Sequence, residues 1–362
     1  MSTIELRGVT KRFGAFTAVR NVWLAVGAGE VVCLLGPSGC GKTTTLRIIA
    51  GLERASSGDV NIAGRRVNDL RPDQRDIAMV FQFYALYPAL TVRENIMFPL
   101  HVEKLDAKTA GVRVARVARM LHLEQVLERL PNQISEGEKQ RVAVARAVVR
   151  EPNCFLFDEP LSRLDVELRQ TMRGQIKSVL TGLSKATVIV THDQLEALTM
   201  ADRIAIMRDG VIEQIASPHE VFARPATVFV ASFIGTPQMN LLDAQFEGVE
   251  DGHGRFRIDG QPIRLPVDPA VAKLAGGQVT IGIRPRALVI NGAASADAIA
   301  GRAELIEPMG AETLVHARTS LGSDIRVVVP RDIRVKAGDS LTLCTDARET
   351  HVFDSSGKAV RT

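Results

Sequence analysis

The segment VVCLLGPSGCGKTTTLRIIAGL, residues 31–52, decides the fold of this chain. It opens with VVCLL, a continuous apolar and β-branched run that is typical of a strand buried on both faces of a sheet. A glycine-rich loop follows, and an apolar helical stretch comes directly after the loop. A buried strand that leads through such a loop into a helix predicts a nucleotide-binding α/β domain.

The loop itself, GPSGCGKT at 36–43, matches the phosphate-binding pattern GxxxxGK[ST]. Its glycines let the backbone fold tightly, so that loop N–H groups and the helix N-terminus face negative charge. Lys42 is placed to reach the β- and γ-phosphates, and the Thr43 hydroxyl is placed to bind Mg²⁺. A chance glycine-rich turn is the alternative, and the flanking strand and helix argue against it. The predicted nucleotide-binding residues here are Gly36, Pro37, Ser38, Gly39, Cys40, Gly41, Lys42, Thr43 and Thr44.

A second apolar strand ends in two adjacent carboxylates, in CFLFDEP at 154–160. Asp158 is placed to bind Mg²⁺, and Glu159 to polarise an attacking water. On its own, such a pair is as often a simple turn. Because a phosphate-binding loop lies upstream, we interpret the pair as the second half of the same site.

Further buried-strand candidates alternate with helical stretches, which predicts a mostly parallel α/β sheet. They lie at 77–81, 154–157, 186–191 and 203–207. Between 88 and 150 the apolar spacing becomes helical, so we expect a helical subdomain inserted there. Beyond 235, short segments rich in Gly, Pro and Val predict a small all-β domain, either one barrel or a pair. The expected domains are therefore 1–235 and 236–362.

Composition excludes several classes of protein. The 362 residues are 46% hydrophobic and 24% charged, as in an ordinary globular protein rather than a disordered chain. The net charge of +4 is too small to indicate a nucleic-acid partner. The four cysteines have no metal-site spacing and are expected to be buried small residues. No secretory signal and no membrane-spanning run is present, so any membrane role would come through a partner.

With these residues in view, the sequence resembles the ATP-binding subunits of ABC transporters, and most closely those of carbohydrate importers of the maltose type. The resemblance covers essentially the whole chain. NQISEGEKQRVAVARA at 132–147 resembles the signature segment, usually LSGGQ, that binds the γ-phosphate held by the other subunit. Ser135 and Gly137 match this segment, while Glu136 replaces its first glycine. Glu136 is either a tolerated variant that points outward or a cause of weakened binding and slow ATP hydrolysis.

Other segments extend the resemblance residue by residue. In MVFQFYALYPALTVREN at 79–95, Gln82 matches the residue that reaches Mg²⁺ and water, and YALYPALTV resembles the surface that receives the membrane subunit. That cluster, with Tyr84, Leu86, Tyr87 and Pro88, could equally be core. Asp165 of PLSRLD would lie at the dimer interface, and His192 would contact the γ-phosphate and water. Phe13 of KRFG stands where an adenine-stacking aromatic is common.

The resemblance implies an ATP hydrolase that powers solute import. It implies a P-loop ABC ATPase domain followed by an OB-like, TOBE-type accessory domain, since 218–240, 281–288 and 304–317 resemble that linker and domain. Two copies would bind two ATP molecules and Mg²⁺ between them. Their partners would be membrane permease subunits and, indirectly, an extracytoplasmic solute-binding protein, with the chain peripheral on the cytoplasmic face of the membrane. The alternatives are a soluble ABC ATPase outside transport and a nucleotide-binding regulator weakened by Glu136.

Overall fold

The computed structural model of the chain describes residues 2–101, 105–250, 253–258, 260–274, 276–290, 298–319, 322–345 and 349–361. These residues form two compact units, Met1–His219 and Glu220–Thr362. The first unit is α/β and the second is almost entirely β, as the sequence predicts. The domain boundary at 235 stays a prediction, while packing assigns 220–235 to the second unit.

A six-stranded sheet forms the centre of the first unit, in the order β10-β9-β3-β8-β7-β6. All its strands are parallel except β10, which pairs antiparallel with β9. The apolar runs of β3, β7 and β8 are almost entirely buried. The strands are β3 (Val31–Leu35), β6 (Ile77–Val80), β7 (Cys154–Asp158), β8 (Ala186–Thr191), β9 (Arg203–Arg208) and β10 (Val211–Ala216).

A four-stranded antiparallel sheet lies earlier in the chain, in the order β2-β1-β4-β5. Its strands are β1 (Ser2–Phe13), β2 (Phe16–Gly27), β4 (Ser57–Ile62) and β5 (Arg65–Arg66). β1 and β2 are 12 residues each. The two strands pair along their whole length, and β-bulges shift the register at several points of the ladder. Both sheets share one buried core.

Helices of the first unit connect these strands and form the predicted insertion. They are α1 (Lys42–Ala50), α2 (Val92–Met97), α3 (Ala107–Met120), α4 (Glu136–Val148), α5 (Val166–Leu183) and α6 (Gln194–Met200). Short 3₁₀ turns cover Pro72–Gln74, Phe98–His101, Glu124–Val126 and Pro131–Gln133. No strand occurs in the described part of 88–150, and its regular elements are helices. The bounds of the helical subdomain stay a prediction.

The second unit contains two antiparallel five-stranded sheets, ordered β13-β12-β11-β14-β20 and β15-β19-β16-β17-β18. Residues from both sheets share one hydrophobic core. The strands are β11 (Asn240–Glu250), β12 (His253–Ile258), β13 (Gln261–Pro266), β14 (Gly277–Ile283), β15 (Val289–Ile290), β16 (Ile299–Pro308), β17 (Glu312–Thr319), β18 (Asp324–Pro330), β19 (Ser340–Cys344) and β20 (Thr350–Phe353). The remaining helices are α7 (Pro218–Ala223) and α8 (Val228–Phe233), with 3₁₀ turns at Pro269–Lys273 and Pro285–Ala287.

The cysteines fit the sequence interpretation only in part. Cys33, Cys40 and Cys154 are buried and free, whereas Cys344 is half-buried. Within the described ranges, no group of three or more His, Cys, Asp or Glu side chains is arranged to hold a metal ion.

Candidate functional site

The phosphate-binding loop lies between β3 and α1, and its lysine is folded back across it. Lys42 is buried, and its Nζ donates to the carbonyl oxygens of Gly36 (2.8 Å) and Pro37 (2.9 Å). Gly41 begins α1 with a φ of 101°, a conformation that favours glycine. The ammonium is therefore held against the backbone of the loop, beside the N-terminus of α1, where a helix favours an anion.

Two glycines of the loop are required by close packing. A Cβ at Gly36 would overlap the carbonyl oxygen of Met207, and one at Gly41 would overlap that of Ala18. Gly39 has a φ of 79° but open space around it. Gly36 and Gly41 are therefore required because a side chain would not fit. Gly39 is favoured only by its backbone conformation.

Asp158 at the end of β7 faces Thr43 at the start of α1. The Thr43 hydroxyl donates to Asp158 Oδ1 at 3.4 Å. Burial, and then the charge of Glu159, raise the pKa of Asp158 above its usual value, while the Thr43 hydrogen bond opposes the shift. A carboxylate and a hydroxyl are the hard oxygen ligands that Mg²⁺ prefers. The two residues fit the predicted metal position.

Glu159 is the centre of a polar cluster just beyond Asp158. Its Oε2 accepts from Gln82 Nε2 at 3.1 Å, and its Oε1 lies 3.2 Å from His192 Nδ1. The Gln82 amide also donates to Ser162 Oγ at 3.3 Å. Glu159 adopts a φ of 47°, which is uncommon outside glycine and costs backbone energy. Residues from two other loops, Gln82 and His192, thus converge on the Glu159 carboxylate.

Residues 134–138, which we call the signature turn, begin α4. Ser135 caps this helix by accepting from the Glu138 N–H, and the Glu138 carboxylate accepts from the Ser135 N–H in return. Gly137 is buried, and a Cβ there would lie 2.8 Å from Leu168 Cδ2. Glu136 is half exposed and pairs with Lys139 at 2.7 Å. Among the described residues, no hydrogen bond or ion pair joins Ser135 or Gly137 to the phosphate-binding loop.

Asp165 is placed as a helix cap, accepting from the Leu168 N–H at 2.8 Å at the start of α5. Phe13 ends β1 half-exposed, and Lys11 Nζ lies 4.6 Å from its ring centre. Phe16 was not among the predicted site residues. Its exposed ring lines a cavity of about 300 Å³ together with Gly39 of the loop. Its only sequence signal was an aromatic residue close to the KRFG motif.

The segment after Gln82 divides between core and surface. Tyr84 is buried, whereas Phe83, Tyr87 and Pro88 are exposed. Buried Asn95 of α2 fixes the segment, since its Oδ1 accepts from the Tyr87 N–H at 2.8 Å and its Nδ2 donates to the Tyr87 carbonyl at 3.1 Å. The exposed aromatic residues therefore stand on a rigidly held backbone. Over the described chain, no helix is long and apolar enough to cross a membrane.

Comparison with known families matches these features region by region. Residues 19–162 match the ABC transporter family, 235–288 the MalK OB fold domain and 281–353 the TOBE domain. The first match contains the phosphate-binding loop, the signature turn and the Asp158–Glu159 pair. The other two cover most of the second unit.

Curated relatives match the chain over nearly its full length. An sn-glycerol-3-phosphate import ATP-binding protein of Cereibacter sphaeroides is 44% identical over 98% of this chain and 98% of its own. A trehalose/maltose import ATP-binding protein of Thermococcus litoralis is 44% identical over 99% and 100%. A sulfoquinovosyl glycerol transport ATP-binding protein of Agrobacterium fabrum is 43% identical over 98% of each.

Solved structures agree with this assignment for the first unit. A dimeric bacterial ABC transporter cassette is 34% identical and covers 59% of this chain and 98% of its own, with a TM-score of 0.54. A post-hydrolysis cassette dimer bound to ADP and phosphate gives the same values. Taken with the strand–loop–helix geometry and the carboxylate cluster, these relationships show that the chain belongs to the ABC transporter family, as an ATP-hydrolysing cassette followed by MalK-type OB and TOBE domains.

Proposed function

We propose that this protein hydrolyses ATP to power the import of a carbohydrate or a related solute, such as a sugar, a polyol or a glycerol phosphate. The support is similarity over nearly the whole chain to import ATP-binding proteins, including the MalK OB fold and TOBE regions. The chain itself supplies the energy-coupling site, and solute selection belongs to its partners.

In the proposed reaction, Glu159 polarises the water that attacks the γ-phosphate, and Gln82 and His192 position that water. Lys42 and the backbone N–H groups of the phosphate-binding loop, in which Pro37 has none, stabilise charge on the phosphates. Thr43, Asp158 and Gln82 would hold Mg²⁺, which would supply positive charge to offset the negative charge of the phosphates. Phe13 would stack on adenine.

Two copies of the chain would enclose two ATP molecules. Each phosphate-binding loop would face the Ser135–Gly137 segment of the partner subunit, with Asp165 at the interface. Dimeric cassettes among the solved relatives support this arrangement. We further propose that the exposed aromatic residues near Tyr87 dock a membrane permease that receives solute from an extracytoplasmic binding protein. The chain would then be peripheral on the cytoplasmic face of the membrane.

The two alternatives are a soluble ABC ATPase outside transport and a nucleotide-binding regulator. The named relatives at 43–44% identity are all import or transport ATP-binding proteins, which favours the transport function. The contacts of Glu159 with Gln82 and His192 favour a working hydrolase over a regulator.

The clustering of Gln82 and His192 on Glu159 carries the proposal, and Glu159→Gln tests it. We expect the Mg²⁺-dependent ATPase rate of the purified chain to fall about 10²–10⁴-fold, because a general base is lost while shape is kept. Exposed Glu151→Gln is the matched control and should retain the wild-type rate. Equal ATPase rates in wild type and Glu159→Gln would overturn the proposal.

A further inference from the structure

A cavity of about 480 Å³ lies within the second unit, and none of the residues that line it belongs to the proposed ATP site. This volume is in the range of small-molecule sites in proteins. The lining residues come from the end of α7, the 3₁₀ turn Pro269–Lys273 and the residues before it, β20, and the C-terminal segment 359–361.

Backbone hydrogen bonds fix the walls of this cavity. On the C-terminal segment, the Val360 N–H donates to the Val352 carbonyl at 2.8 Å, and the Ala359 N–H donates to the Ala226 carbonyl at 2.9 Å. At the 3₁₀ turn, Asp268 Oδ1 accepts from the Ala270 N–H at 2.8 Å. Because the walls are already ordered, a ligand would lose little of its binding energy to organising them.

Valine side chains make part of the lining apolar. Val271 and Val352 are buried in the core of the unit, and half-buried Val267 and Val360 pack against the same core. A largely apolar wall with a small number of polar groups is typical of a site for a small organic molecule.

Two polar side chains at the cavity are not engaged by the protein itself. In the described part of the chain, no hydrogen bond or ion pair involves the guanidinium of Arg361 or the imidazole of His351. Burial, followed by the positive charges of Arg284 and Arg361, lowers the pKa of His351 to about 4, so that its imidazole is neutral at pH 7. Both side chains can donate a hydrogen bond to a molecule in the cavity.

The charges that line the cavity favour an anion with a single charge. Two arginines, Arg224 and Arg361, line it together with one carboxylate, Asp268, which leaves one net positive charge while His351 is neutral. Burial and then Arg224 lower the pKa of Arg361, and Asp268 and Glu220 oppose this shift. A carboxylate carries one negative charge, whereas a phosphate monoester carries nearly two at pH 7. Arginine also binds carboxylates strongly, through charge-assisted hydrogen bonds.

We propose that this cavity binds a small organic carboxylate. The anionic end of the ligand accepts hydrogen bonds from Arg361 and His351, and its apolar part lies against Val271 and Val360. This site takes no part in ATP hydrolysis, so the inference goes beyond the proposed function. Since the C-terminal segment forms one wall of the cavity, a bound carboxylate stabilises the folded second unit.

Titration of the full chain with phenylacetate, followed by NMR of the histidine imidazoles, tests the inference. The His351 resonances, assigned by their loss in His351→Gln, should shift and reach saturation at millimolar concentrations. Phenylacetamide keeps the ring but has no charge, and acetate keeps the charge but has no ring. Each should bind about tenfold more weakly than phenylacetate, because each lacks one of the two features that the cavity recognises.

Arg361→Gln should weaken the binding of phenylacetate about tenfold or more, since a charge-assisted hydrogen bond is lost. Arg318→Gln is the matched control and should keep the wild-type affinity, because Arg318 pairs with Glu304 (3.3 Å) and Asp324 (3.0 Å) outside the cavity. Unchanged His316 resonances in Arg361→Gln would show that the second unit stays folded.

Three results would each overturn the proposal. They are the absence of a saturable shift at His351, equal affinities for phenylacetate and phenylacetamide, and equal affinities of wild type and Arg361→Gln for phenylacetate.

Discussion

At the scale of single residues, the site depends on backbone conformations that ordinary residues avoid. Glu159 keeps a φ of 47° because its N–H donates to the Val190 carbonyl at 2.9 Å while its carboxylate is held by Gln82 and His192. Such strain persists only where the surroundings over-determine it. The carboxylate is therefore preorganised before nucleotide binds.

The glycines of the phosphate-binding loop give a residue-scale prediction. Gly41→Ala should lower the free energy of unfolding by about 2–4 kcal/mol, because the methyl group would meet the Ala18 carbonyl at an unfavourable φ. Gly39→Ala, which has positive φ but open space, should cost about 1 kcal/mol. Urea unfolding without nucleotide measures both, and equal losses would contradict this account of packing.

Sequence alone predicted the loop residues and the Asp158–Glu159 pair because local pattern and local geometry coincide there. It left the role of Glu136 open. The Lys139 contact follows helical spacing, but the contacts of Arg146 with the carbonyl oxygens of Tyr84 and Ala85 arise only in the tertiary fold. Long-range contacts of this kind leave no periodic signal in the chain.

At the scale of elements, strands β3, β7 and β8 were predictable because each is an apolar run that is almost entirely buried. The length of β1 and β2 could not be predicted, since buried and exposed residues do not alternate regularly along them. The anchoring of the segment after Gln82 could not be predicted from the sequence either. It depends on Asn95, a polar residue inside an apolar helix face, which sequence analysis would place at the surface.

Asn95 gives the element-scale prediction. It is fully buried, and its side-chain amide also donates to the Leu90 and Thr91 carbonyls at 2.9 and 3.0 Å. Asn95→Ala should cost about 2–3 kcal/mol, since it leaves the part-buried Tyr87 N–H unpaired and removes the bonds of the Asn95 amide to three backbone carbonyls. Hydrogen exchange across 85–91 should accelerate, while exposed Asn132→Ala should change nothing there. Unchanged protection of the Tyr87 amide would refute the anchoring role.

At the scale of the whole molecule, the two units should respond differently to acid. In the second unit, burial, and then the charges of Arg284 and Arg361, lower the pKa of His351 from 6.5 to about 4. Between these values the unfolded chain binds a proton that the folded chain does not. Stability therefore falls as the pH drops from 6.5 towards 4, by about 1–3 kcal/mol in this unit.

Hydrogen exchange in β14 and β20 measures this effect directly, because these strands pair beside His351. Protection should decrease between pH 6.5 and 5 after correction for intrinsic exchange. His351→Gln should remove the pH dependence, whereas His253→Gln on β12 should retain it. If the His351→Gln chain lost protection with acid as steeply as wild type, another group would be responsible.

The chain's one tryptophan and two tyrosines, Trp23, Tyr84 and Tyr87, all lie in the first unit. The second unit therefore contributes almost no intrinsic fluorescence. Emission from the native protein reports on the ATPase unit alone, and Tyr87 reports from the exposed segment itself. Phe353→Trp in a Trp23→Phe background would instead place the one tryptophan in the β-rich unit. Unfolding of the two units could then be followed separately in one intact chain.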